Sequence, residues 1–205
     1  EIERIRSAQR EQEAQVRVQA LDTENRQLAV KAATDALTGI PNRLAFEQRL
    51  RQDCAKARKL NRSIGFILMD LDRFKKLNDS CGHPAGDAVL RMVGGVLKPM
   101  MTESRFAARY GGEEFAFIAT GVSARRLHAL AEEIRLRVAE LRIPFEDRYL
   151  RVTISLGAVH MKPDDPDLKP KHLLSQADRY LYEAKNTGRN RVVCAHSAPE
   201  VVRNT

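Results

Sequence analysis

The sequence predicts an α/β domain of the α+β kind: a mixed, mainly antiparallel central sheet flanked by helices and entered through a long N-terminal helix. Three observations carry this. Short apolar runs of strand length are interleaved with segments of helical periodicity. A Gly-Gly pair between two such runs marks a hairpin, which a doubly wound parallel sheet would not contain. The first 34 residues hold no glycine or proline, a composition that favours unbroken helix. At 205 residues the chain has room for one domain with a sizeable core and an accessory segment besides.

Residues 1–34 are expected to form a helical stalk. One heptad frame places Val18, Asn25 and Ala32 at a and Ala14, Leu21 and Leu28 at d. Such a seam pairs helices in a parallel coiled coil, where a buried Asn sets register. The frame weakens upstream, where Arg4 and Glu11 fall at a, so a single amphipathic helix lying on its own domain is the alternative. Residues 35–195 then form the globular domain, and 196–205 read as a tail.

Thr38 to Asn42 breaks the helix, and Arg43 to Leu60 restarts one. Ser63 to Met69 reads as a buried strand ending at Asp70-Leu71-Asp72. Ala85 to Met100 reads as a helix. Phe106–Tyr110 and Glu113–Ala119 flank Gly111-Gly112, taken as a two-residue turn whose glycines accept positive φ. Ser123 to Leu141 is helical, and Tyr149 to Val159 alternates like one strand. Leu173 to Lys185 is the last helix, and Arg191 to Cys194 a short strand.

The formal charge of +8 lies in the globular part, because six basic residues through Thr34 are matched by six acids. A basic surface suits a polyphosphate as well as a nucleic acid, and charge alone does not choose. No apolar run approaches the roughly 18 residues of a membrane span. Glu1 opens the chain without methionine or signal pattern, as a fragment would. Cys54, Cys81 and Cys194 lack metal-type spacing, so a reducing, cytoplasmic setting without disulfides is expected.

The chemistry concentrates in two acidic sites. Asp70 and Asp72 end an apolar strand, and Glu113 and Glu114 follow the glycine pair. Brought together on neighbouring strands, they form an all-oxygen site suited to Mg²⁺ or Mn²⁺. Such ions bind nucleotide phosphates and stabilise an in-line displacement. For Asp72 and one glutamate, a solvated turn charge is the other reading. Phe74 and Phe115 read as core residues beside the site, and Cys81 as an exposed thiol with no catalytic role.

The run Arg109-Tyr110-Gly111-Gly112-Glu113-Glu114-Phe115 resembles the signature of the GGDEF family in its GGEEF form. Further matching blocks appear in family order. Upstream lies Asp35-Ala36-Leu37-Thr38-Gly39-Ile40-Pro41-Asn42-Arg43, then Asp70 to Lys75, Asn78-Asp79, Gly82-His83 and Gly86-Asp87. Downstream come Ser155-Leu156-Gly157, Ala177-Asp178, Tyr182, Ala184-Lys185 and Gly188 to Arg191.

The resemblance implies a palm-like nucleotidyl-cyclase fold and a diguanylate cyclase that condenses two GTP into cyclic di-GMP. It implies that Asp70, the Leu71 carbonyl and Glu113 hold Mg²⁺ or Mn²⁺, two ions per site, with Glu114 as a further ligand or as base for the 3′-hydroxyl. Asn78 and Asp87 match guanine-reading positions. Lys75, Lys185 and Arg189 match phosphate contacts, and Gly111 and Gly112 give the nucleotide close approach. His83 would order backbone rather than bind metal, and Thr38, Asn42 and Arg43 would tie stalk to domain. The expected partners are GTP, a second copy of the chain joined through the stalk with active sites facing, and an upstream sensor or membrane segment; nucleic acid is not expected. The family's product-inhibition motif, Arg-x-x-Asp, is replaced by Thr102 and Arg105.

Overall fold

A computed structural model describes Arg17, Gln19, Ala29 and residues 31–195 of the chain. The chain divides into two compact units, Glu1–Thr34 and Asp35–Thr205. In the first, Arg17, Gln19, Ala29 and Lys31 to Ala33 are helical. Of the heptad seam only Ala32 is described, and it is exposed; Ala14, Val18, Leu21, Asn25 and Leu28 lie outside the described residues, as does the tail 196–205.

The second unit runs α1 (Arg43–Lys59), β1 (Ile64–Leu71), α2 (Phe74–Cys81), α3 (His83–Leu97), a 3₁₀ turn, β2 (Arg105–Arg109), β3 (Glu114–Thr120), α4 (Ala124–Ala139), β4 (Ile143–Phe145), β5 (Arg148–Leu150), β6 (Ile154–Met161), α5 (Pro170–Asn186) and β7 (Val192–Cys194). Five strands form one sheet in the order β2-β3-β1-β6-β7. Every pair is antiparallel except β6–β7. Among the described residues no helix is long and apolar enough to cross a membrane.

Helices cover both faces of this sheet, which explains the unbroken apolar run of β1, buried at all eight positions. Successive side chains point to opposite faces. Ile67, Met69 and Leu71 enter a core with α3 and α4, whereas Ile64, Phe66 and Leu68 enter one with α1 and α5. Asp70 continues the second series, so the alternation that builds the core aims a carboxylate at the α1/α5 side. Asn42 caps α1 by accepting from the Ala45 amide, and Ser123 caps α4 by accepting from Arg126.

Three expectations about elements are corrected. The stretch Tyr149–Val159 is not one strand: β5 pairs with β4 in a separate hairpin, and β6 begins only at Ile154. Val152, counted in the alternation, is a buried residue between the two. The helix expected from Ala85 starts at His83, and α2 precedes it with an apolar face of Phe74, Leu77 and Cys81. That helix is only eight residues long, so its apolar spacing of 74, 77 and 81 has little length over which to repeat. Finally, β2 and β3 are joined by a loop in which neither glycine lies in the left-handed region. The backbone amides of Tyr110 and Gly111 both donate to the Glu114 carbonyl, leaving Gly111, Gly112 and Glu113 to span the turn.

Candidate active site

The antiparallel register of β1 and β3 sets Asp70 directly opposite Glu114, one step beyond the buried pair Met69–Phe115. Directly opposed residues share a face, and like charges there repel. Glu113 is held next to them by the hydrogen bond from the Leu71 amide to its carbonyl, 3.3 Å. The sheet therefore gathers three carboxylates at one end of its central strand pair.

Their electrostatics follow from that crowding. Burial pushes the Asp70 carboxyl above the usual aspartate value, and nearby Asp72 adds to the rise against the opposing pull of Lys185 and Arg189. Glu113 and Glu114 are raised as well, first by burial and then by Asp70. Among the described residues neither glutamate side chain has an ion-pair or hydrogen-bond partner. The Glu114 carboxylate lies over Gly111, where a Cβ would come within 2.6 Å of its Oε2. A side chain at position 111 would meet only the movable end of Glu114, and the space around Gly112 is open.

One cation answers the cluster. Lys185 Nζ lies 2.8 Å from Asp70 Oδ2. It arrives there because α5 packs against β6 at Gly157, where a Cβ would sit 2.1 Å from the Ala177 carbonyl oxygen. Only glycine admits that approach, which also buries Ala177, Leu181 and Ala184 beneath the helix. The Ser155-Leu156-Gly157 block thus positions Lys185 from a distance. Arg189, exposed and with φ of 61°, acts on Asp70 through charge alone.

Asp72 is not the solvated turn charge that sequence allowed. Its Oδ1 accepts from Ser155 Oγ at 2.6 Å, and its Oδ2 from Thr153 Oγ1 at 2.7 Å and the Asn190 amide at 3.0 Å. It fastens the segment after α5 to the start of β6.

A second group sits on α2 and α3. The Asn78 amide oxygen is buried without a partner among the described residues, and a Cβ on Gly86 would fall 2.0 Å from it. Asp87, next in sequence, is half-exposed and only loosely paired with Arg91 at 3.9 Å. Lys75 is exposed on α2 with no ion pair, and His83 is the exposed first residue of α3. The structure thus joins Asp70, Leu71, Glu113, Glu114 and Lys185 in one cluster and places Asn78 beside Asp87 in another.

A sequence model described as "Diguanylate cyclase, GGDEF domain" matches residues 32–191. The chain belongs to the GGDEF family. It is 35% identical over 165 residues to diguanylate cyclase DgcP of Pseudomonas aeruginosa, covering 80% of this chain and 24% of that protein. It is 40% identical over 164 residues to the probable diguanylate cyclase DgcT of Escherichia coli, covering 79% of this chain and 35% of the relative. The chain therefore spans between a quarter and about a third of these two relatives. The crystal structure of the coiled coil and GGDEF domain of DgcB from Caulobacter crescentus, in complex with c-di-GMP, superposes with a TM-score of 0.83 at 34% identity. That match covers 91% of this chain and 97% of the other.

The GGDEF signature loop is tied to the opposite end of the motif series by a residue whose role the sequence did not disclose. Arg109 donates through Nε and Nη2 to the Gly112 carbonyl, at 3.2 and 2.8 Å, and its Nη1 lies 3.2 Å from Asp35 Oδ2. Asp35 also accepts from the Thr38 amide and hydroxyl. Partial burial pulls its pKa up, but the Thr38 hydrogen bonds and Arg109 outweigh that and leave it below the usual value. Thr38 and Asn42, expected to tie stalk to domain, shape this turn and cap α1 respectively. Arg43 stacks over Tyr110 at 4.7 Å and pairs with Glu47.

Among the described residues no three acidic, histidine or cysteine side chains form a ready-made metal cage. The donor set nevertheless fits a hard divalent cation. It is all oxygen, and Asp70 acts as a like charge on Glu113 and Glu114, a repulsion that a divalent cation would relieve.

Proposed function

We propose that this domain is a diguanylate cyclase, condensing two GTP into cyclic di-GMP with release of two pyrophosphates. The observation that carries the proposal is the placement of Asp70 opposite Glu114 at the end of β1, with every acid of the GGEEF run intact. In each half-reaction a ribose 3′-oxygen bonds to the α-phosphorus of the other GTP. The bond to the β-phosphate bridging oxygen breaks, and the hydroxyl proton passes to a base.

Asp70, the Leu71 carbonyl and Glu113 hold Mg²⁺ or Mn²⁺, two ions per site, with Glu114 as a further ligand or as the base. Bound metal supplies charge stabilisation at the attacking and leaving oxygens. Asn78 and Asp87 read guanine, a role supported by the unpartnered Asn78 oxygen and the weakly engaged Asp87. A carboxylate accepts from guanine N1–H and amine, a pattern adenine lacks. Lys75, Lys185 and Arg189 contact the triphosphate. The α2 N-terminus has no side-chain cap, so its free amides and dipole favour a phosphate there. Gly111 and Gly112 leave room for the nucleotide.

One GTP per domain is half the substrate, so two domains face each other, held at high effective concentration by a parallel stalk. Control by the N-terminal helix is supported by the Arg109 bridge, because Asp35 immediately follows Thr34 and shares one guanidinium with the signature loop. Thr102 and Arg105, which pair through their own backbones, replace the product-inhibition motif, and product inhibition there is weak or absent. An upstream sensor or membrane anchor and a cytoplasmic setting complete the proposal.

The test is incubation of the chain with GTP and Mg²⁺, with products separated by chromatography, beside Glu114→Gln. Cyclic di-GMP from the wild type alone supports the reading. Metal-dependent GTP binding without product at any protein concentration refutes catalysis and leaves a signalling domain.

A further inference from the structure

A cavity of about 680 Å³ is lined by Asp72 and Arg189, the two residues whose charges act on Asp70 from outside its cluster. Its walls come from α2, from the segment between β5 and β6, and from the turn after α5. Four cations line it: Arg73, Lys76, Arg151 and Arg189. None of the four has an ion-pair partner among the described residues.

The one carboxylate in the wall does not answer them. Both Asp72 oxygens are taken up by Ser155, Thr153 and Asn190. The wall thus sets four cations against one carboxylate that is not ion-paired with any of them, and the net positive charge favours a compact polyanion over a single phosphate. Arg189, a phosphate-contacting position in the reading above, lines it together with Arg73, Lys76 and Arg151.

We infer that this bay binds a diphosphate group outside the catalytic subsite, with the reaction's own pyrophosphate as its occupant on the way out. The inference rests on the cyclase reading for its source of pyrophosphate. Once the bond to the α-phosphate has broken, the leaving group carries added negative charge and no nucleoside to hold it at the guanine pocket. The cations of the bay, whose lining includes none of Asp70, Glu113 and Glu114, offer it a place to bind apart from those carboxylates. The same chemistry would hold the diphosphate of a nucleotide, and the test separates the two sources.

Inorganic pyrophosphate, ADP, sulfate and a non-hydrolysable GTP analogue are titrated calorimetrically, with Mg²⁺, into the wild type and the Lys76→Ala/Arg151→Ala variant. Both side chains are exposed, so the variant keeps the wild-type unfolding temperature. Losing two charge-assisted contacts weakens pyrophosphate by roughly tenfold or more, while the GTP analogue stays within about twofold. The Lys76→Arg/Arg151→Lys variant restores pyrophosphate binding. If ADP binds more tightly than pyrophosphate and shows the same loss, the bay takes a nucleotide diphosphate and the pyrophosphate assignment falls. Unchanged pyrophosphate affinity overturns the inference. So does a loss shared equally by sulfate, or an equal loss for the GTP analogue. No turnover is needed, so a chain that makes no cyclic di-GMP but binds pyrophosphate through Lys76 and Arg151 refutes the proposed activity and not the bay.

Discussion

Asp70 and Asp72 are the same residue two positions apart, yet they live in opposite electrostatic worlds. Asp72 has three hydrogen-bond donors shared between its two oxygens, from Thr153, Ser155 and Asn190. Asp70, 5% exposed, has a single lysine against the burial and like charge that push its pKa up. A carboxylate whose needs are met locally holds a fold together. One left short of partners at the end of a rigid strand has the environment of a functional-site candidate. Unmet demand, more than acidity, is what sets Asp70 apart from Asp72 in the proposed reading.

The sharpest way to break that comparison is to neutralise Asp70. Asp70→Asn should lower cyclic di-GMP formation by roughly 10³-fold or more, because metal charge stabilisation is lost. Its urea midpoint should stay level or rise, since a poorly compensated buried charge has gone. A parallel loss of stability and activity would make Asp70 an anchor like Asp72.

Gly157→Ala attacks the same site from behind. Its methyl must displace the Ala177 carbonyl, which should cost about 3 kcal/mol in chemical denaturation and withdraw Lys185 from Asp70. Next comes Asp72→Asn, which sets an amide donor among three donors. We expect a cost of about 1–3 kcal/mol, with Mg²⁺-dependent GTP binding retained.

The smallest effect concerns Asp35. Its folded pKa is lowered, so its contribution to stability is present above the unfolded value and is lost as pH falls through the folded one. Asp35→Asn should cost about 1 kcal/mol at pH 7 by urea unfolding, and the gap from wild type should close below about pH 4.

Much of this was legible in the sequence. The alternation of Phe66, Leu68 and Asp70 against Ile67, Met69 and Leu71 follows from strand geometry. That the acids would meet on neighbouring strands was expected, but the register that sets Asp70 opposite Glu114 belongs to the β1–β3 pairing, which the β2–β3 hairpin does not fix. Other features lie beyond local pattern. The reach of Arg109 to Asp35 spans 74 positions, and the hydrogen bonds to Asp72 come from residues more than 80 positions away. Only the folded chain sets those partners. Gly157 was visible as part of a motif, but its reason is the backbone of α5, which packs on it through tertiary contact. The split of β5 from β6 was hidden because Leu150, Val152 and Ile154 alternate as a strand would, although residues 151–153 belong to neither strand.

The most direct test is the thermal shift produced by Mg²⁺ together with a non-hydrolysable GTP analogue, read for wild type, Asp70→Asn and Asp72→Asn in one series. Ligand that binds only the folded state raises the melting temperature in proportion to its affinity. The account predicts an Mg²⁺-dependent rise for the wild type and for Asp72→Asn, starting from a lower temperature in the latter, and none for Asp70→Asn. An undiminished Mg²⁺-dependent rise in Asp70→Asn would contradict it.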